Sequence, residues 1–121
     1  MELPDVTPQG EKRTRIASGT ALKRYVRSIF AGSQGNMSAI ICTDKKGYVI
    51  SSRLFSTDSD RDVCSKSLPN DAQVVYLASY HQGGDLVPTE MDMHNMELLA
   101  LCTPESCSFG GLLVLDETQV V

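Results

Sequence analysis

No apolar run in this chain approaches the roughly 18 residues that a membrane-crossing helix needs, and no signal peptide opens it. Glu2 after Met1 excludes N-myristoylation, and the closing Gln119-Val120-Val121 lacks the cysteine that prenylation requires. The expectation is a soluble, cytoplasmic protein, carried to any membrane by its partners. Cysteine is scarce too. Cys42, Cys64, Cys102 and Cys107 are too few for a disulfide framework in 121 residues, so reduced thiols are expected. Internal repeats and low-complexity tracts are absent. No phosphate-cradling loop exists either, because Gly83-Gly84 and Gly110-Gly111 lack the flanking strand, helix and lysine. Basic residues are sparse beyond the first helix. Residues 1–31 carry a net +3 within a chain of net −4, leaving an acidic body that argues against nucleic acid as the main partner.

Hydrophobic content of 41 % and charged content of 21 % are ordinary for a globular chain, and the length is that of one domain with its own core. Its most locally determined stretch is Met37–Arg53. The apolar runs Ala39–Cys42 and Tyr48–Ile50 flank Thr43-Asp44-Lys45-Lys46-Gly47. An Asp able to bond its own backbone and a Gly free to take positive φ predict a β-hairpin built on a type I turn.

Upstream, residues 1–18 hold two prolines, mixed charge and no apolar period, which predicts a flexible arm before a domain over 19–121. Thr20 is a candidate N-cap for a helix whose stripe is Leu22, Tyr25, Val26, Ile29 and Phe30, with Gly32 ending it. Downstream, Asp58 or Ser59 can cap a short helix that runs to Leu68. The continuous apolar run Val74–Ala78 predicts a strand buried on both faces. Leu86–Met96 alternates loosely and reads as an edge strand, and Glu97–Cys102 as a last strand. The tail after Phe109 fits either a strand Leu112–Leu115 or a helix opening at Gly110. The fold class expected is α+β: a single antiparallel sheet of about five strands with helices on one face.

Sites of chemistry are few. Cys102 and Cys107 have a spacing that zinc knuckles use, with His81 and His94 elsewhere, but the second cysteine pair of a structural zinc site is missing. Cys64 with either histidine lacks any nucleophile signature, and Glu90 with Asp92 reads as a solvated strand face. No metal, cofactor or catalytic group is therefore expected. What remains is the Val74–Ala78 strand. At a sheet edge it would offer unpaired backbone groups to a neighbour; in mid-sheet it would simply be core.

Two stretches resemble the roadblock family of small adaptors, which includes a dynein light chain and Ragulator scaffold subunits. Ala39-Ile-Ile-Cys-Thr-Asp-Lys-Lys-Gly-Tyr-Val-Ile-Ser-Ser52 is similar to that family's opening hairpin. Glu97-Leu-Leu-Ala-Leu-Cys-Thr-Pro-Glu-Ser-Cys-Ser-Phe-Gly-Gly-Leu-Leu113 looks like its last strand and the start of its final helix. The likeness spans roughly residues 20–115, and the second helix is about half the family's length. The resemblance implies a roadblock/profilin-like fold and a non-catalytic scaffold pairing with itself or a relative as a homo- or hetero-dimer. It implies a platform for a small GTPase or dynein-type motor complex, recruited to endosomal or lysosomal membranes. The implied partner-binding residues are Val74, Val75, Tyr76, Leu77 and Ala78 on the strand, with Val63 and Leu68 on the helix. On that reading Val75→Asp yields a soluble but unpaired protein. A different class also fits the strand order: a PAS-type small-molecule sensor with Cys42, Tyr48 and Tyr76 lining its cavity.

Overall fold

The structure, a computed structural model, describes residues 15–16, 18–32, 35–59, 63–64, 68–81 and 86–116. In chain order these form α1 (Gly19–Ile29), β1 (Met37–Thr43), β2 (Val49–Ser56), β3 (Val74–Tyr80), α2 (Glu90–Cys102) and β4 (Ser108–Leu115). The fold is α+β, with one four-stranded mixed sheet ordered β2-β1-β3-β4. Pairs β1–β2 and β1–β3 are antiparallel; β3–β4 is parallel, joined through α2. A parallel pair needs a crossover, and α2 supplies it.

The hairpin forms as its residues dictate. Asp44 Oδ1 accepts from the N–H groups of Lys46 at 2.9 Å and Tyr48 at 3.0 Å, and Gly47 N–H closes the turn on the Asp44 carbonyl at 3.0 Å. Gly47 takes φ +89°, where a side chain would be strained.

α1 starts slightly earlier than its stripe predicts. Ser18, not Thr20, is the N-cap, its Oγ accepting from Ala21 N–H at 3.1 Å. Of the arm predicted over 1–18, residues 1–14 and 17 lie outside the described residues. Arg15 bridges to Tyr48, and Ile16 N–H donates to Gly47 O at 2.7 Å, so the fold takes in residues before 19.

Because side chains alternate across a strand, the sheet buries two faces. On one, Leu22, Val26 and Phe30 of α1 cover Ala39, Ile41, Ala78, Tyr80, Leu113 and Leu115. Phe30 and Tyr80 stack at 5.7 Å. On the other, Leu99 of α2 joins Ile40, Cys42, Val75 and Leu77, with Val63 and Ala72 from the β2–β3 connection. The expectation of helices on one face of an antiparallel sheet is corrected on both points, because β4 runs parallel to β3 and α2 must cross to the opposite face.

The largest correction lies in residues 86–102. The two strands predicted there are replaced by the single helix α2. Thr89 caps it in a reciprocal box: its Oγ1 accepts from Asp92 N–H at 3.1 Å, and Asp92 Oδ2 accepts from Thr89 N–H at 2.9 Å. The short helix predicted between Asp58 and Leu68 falls partly on residues 60–62 and 65–67, outside the described residues; the described ones around it form turns and bends. The tail after Phe109 takes the strand alternative, entered through a bulge at Gly110 between the Val75–Phe109 and Tyr76–Gly111 pairs.

Candidate functional site

Val74–Ala78 does not lie at an edge. β3 bonds β1 on one flank and β4 on the other. Val75, Leu77 and Ala78 are fully buried; Val74 and Tyr76 are half-buried. Val63 is buried in the α2-side core, and Leu68 packs partly against it beside a cleft of about 380 Å³. Of the partner-binding set expected from the resemblance, Val63, Val75, Leu77 and Ala78 are thus core, and Leu68, Val74 and Tyr76 are half-buried beside it. A continuous apolar run suits an interior strand, since both its faces and both its backbone flanks are removed from water.

The free flanks belong to β2 and β4, and they differ in chemistry. β2 reads Val-Ile-Ser-Ser-Arg-Leu-Phe-Ser, and serines and Arg53 protect it. Its hairpin end is also bridged by Arg15. β4 reads Ser-Phe-Gly-Gly-Leu-Leu-Val-Leu and carries neither a charge nor a proline. Among the described residues no strand pairs with its outer flank. Beyond the bulge at Gly110, the uncharged, proline-free run Leu112–Leu115 of this edge is a template for another strand.

A second feature lies where α2 meets the end of the sheet. Six polar side chains are buried there: Ser38, Thr57, Ser79, His81, Asp92 and Asn95. Asp92 is the hub. Its Oδ1 accepts from Ser79 Oγ at 2.5 Å, and its Oδ2 pairs with His81 Nε2 at 2.7 Å and accepts the Thr89 N–H. Burial pushes the Asp92 carboxyl up, but the hydrogen bonds from Ser79, Thr89 and His81 outweigh it and hold it below its ordinary value. Beside it, Ser38 and Thr57 share a hydroxyl–hydroxyl bond at 2.9 Å, and Asn95 Nδ2 donates to Thr57 O at 3.0 Å. Ser, His and Asp come together here, yet the carboxylate sits in the middle. A Ser–His–Asp nucleophile needs the imidazole against the serine hydroxyl, taking its proton. Here the Ser79 proton points to Asp92, so this arrangement fastens α2 to β3 rather than activating an oxygen.

The other residues weighed for chemistry separate in space or acquire other roles. Cys102 is joined to Cys64 by a disulfide, while Cys42 and Cys107 are free and buried. That corrects the expectation that all four thiols are reduced, and it removes both the Cys–His pair and the cysteine pair weighed for zinc. Glu90 is exposed and Asp92 buried, on different sides of one helix turn. His94 lies on the exposed face of α2. Of the three residues considered for a sensor cavity, Cys42 lines the cleft beside Leu68, Tyr48 sits at the hairpin end, and Tyr76 lies over Gly110 on the opposite face. They do not converge.

Sequence reasoning missed the polar hub, the disulfide and the β4 edge. The signal for α2 was the T-x-x-D cap at Thr89–Asp92, which the loose alternation of Leu86–Met96 overshadowed. No protein-family model matches the chain, and no match to it is found among curated proteins.

Proposed function

We propose that this chain is a non-catalytic adaptor subunit that pairs through a sheet edge with a second copy or a related subunit. The edge is that of β4. The observation that carries the reading is an eight-residue border strand with no charge and no proline, opposite a β2 border that carries Arg53. Strand addition there extends the sheet through backbone hydrogen bonds, with Phe109 and Leu112 flanking the seam on the α2 side. Following the resemblance to roadblock adaptors, the paired unit serves as a platform for a small GTPase or a motor complex. Partners bring it to endosomal or lysosomal membranes; no described helix is long and apolar enough to cross one.

The test is analytical ultracentrifugation of two edge variants, with far-UV circular dichroism as the folding control. Leu112→Lys places a charge on the β4 border and is expected to shift the assembled protein to monomer with its secondary structure retained. Leu54→Lys, on the exposed face of β2, is expected to leave assembly unchanged. A wild type that sediments as a monomer alone and also after co-expression with candidate partners would overturn the reading.

A further inference from the structure

The four cysteines fall into two chemical classes. Cys42 and Cys107 are buried in the α2-side core. Burial, the nearby Cys107 thiol and, in the opposite sense, Arg53 set the Cys42 thiol, which is pushed up to about 11. Burial raises Cys107 as well. Both are protonated and shielded at neutral pH, hence poor nucleophiles. Cys64 and Cys102 are exposed and joined to each other, with Cα atoms 6.1 Å apart. A thiol reductant in solution therefore meets one reactive sulfur pair and bypasses the other two.

That pair ties the end of α2 to the β2–β3 connection. The N-terminal half of α2 is fastened by the Asp92 and Asn95 hydrogen bonds, while its C-terminal half is held by buried Leu99, by half-buried Met96 and Leu98, and by the disulfide at its last residue. On the other side, Cys64 follows Val63, whose side chain is buried against the sheet and whose carbonyl accepts from Arg53 Nη2 at 3.2 Å. Between β2 and β3 the described residues form no helix or strand of their own. Val63, Leu68 and Ala72 are the side chains this connection sets into the core that also holds Cys42 and Cys107, and Val63 and Leu68 are the two nearest Cys64 in the chain.

We propose that the Cys64–Cys102 disulfide is a redox latch: its reduction by a cellular dithiol or glutathione frees Val63, Leu68 and the end of α2, opening the α2-side core while the α1 side stays closed. In the first step a reductant thiolate attacks one sulfur, forming a mixed disulfide and releasing the other cysteine as a thiolate that takes a proton from water. A second reductant thiol resolves the mixed disulfide. Two electrons and two protons reach the protein, and the reductant leaves as its own disulfide. This goes beyond the edge-pairing reading and does not rest on it.

The buried thiols are built-in reporters. The full-length oxidised protein is pulsed with N-ethylmaleimide, with and without prior dithiothreitol, and labelled peptides are read by mass spectrometry alongside backbone hydrogen exchange. After reduction, Cys64 and Cys102 label at once, and Cys42 and Cys107 are expected to label roughly tenfold faster than in the oxidised protein. Exchange at Ala39, Ile41 and Ala78, under α1, is expected to stay slow. Cys64→Ser should show the fast Cys42 and Cys107 labelling without any reductant, and reoxidation of the wild type should restore the slow rate. The proposal is overturned if the buried thiols keep their oxidised-state rates after reduction, if the bond resists dithiothreitol until the chain unfolds, or if exchange under α1 rises equally.

Discussion

Asp92 ties the start of α2 to the end of β3 through one side chain. Its carboxylate caps α2 at the part-buried Thr89 N–H, holds Ser79 on β3 and pairs with His81 just past that strand, with Ser79, His81 and Asp92 itself all buried. A buried charge is tolerable only with such partners, and removing one member leaves the others unsatisfied. Asp92→Asn keeps the shape but not the charge, and is expected to cost about 3 kcal/mol at neutral pH, read as a fall in urea midpoint. The pH dependence follows from the direction of the shift. The folded carboxyl titrates below its ordinary value of 3.8, so its contribution is fully present well above 3.8. It is lost as pH falls below 3.8 and through the folded value. The gap between wild type and Asp92→Asn should therefore narrow on acidification below about pH 4. A gap that widens there would contradict the assignment.

At the scale of elements, β4 shows how a strand is admitted beside a crowded neighbour. A Cβ on Gly110 would run into the Tyr76 ring at Cε1 and lie 2.8 Å from Val74 Cγ1. The Tyr76 ring occupies the space that a side chain would need, so only glycine lets β4 close on β3. Gly111 follows at φ +131°, which turns the chain back into register after the bulge. Gly110→Ala forces the ring or the strand to move and is expected to cost about 1–3 kcal/mol, checked by thermal unfolding. Restoring stability with Gly110→Ala/Tyr76→Leu would locate the cost in that contact; no restoration would place it elsewhere. α2 is the contrasting case. Its buried positions are Asp92, Asn95 and Leu99, while Leu101 is 83 % exposed. With polar residues inward and an aliphatic outward, the helix carries almost no amphipathic stripe. The pattern between 86 and 102 therefore showed no helical period, although the Thr89 cap was legible.

For the molecule as a whole, the decisive fact is the position of β3. With β1 and β4 on its flanks and a helix over each face, it is the centre of the core. Val75 is fully buried, so Val75→Asp, expected from the resemblance to give a soluble unpaired subunit, should instead prevent folding, because an unpaired carboxylate would be buried there. Circular dichroism and expression in the soluble fraction decide between the two outcomes. The Cys64–Cys102 cross-link acts in the same sense as this core. The disulfide spans a sequence separation of 38 residues, and closing such a loop stabilises by about 4 kcal/mol in the chain-entropy model.

Local chemistry alone determined the hairpin, α1 and the existence of the Val74–Ala78 strand. Asp44 and Gly47 form a turn whatever surrounds them, the Leu22–Phe30 stripe has one apolar face, and a run of large apolar residues must be buried. What neighbours that strand has, which face each helix covers and which cysteines join depend on contacts between residues tens of positions apart, and no local period encodes them. Direction also belongs to the tertiary structure: Gly110 makes room under Tyr76, α2 crosses the sheet, and β4 thereby enters parallel to β3 and becomes the border that the apolar run at 74–78 was expected to be.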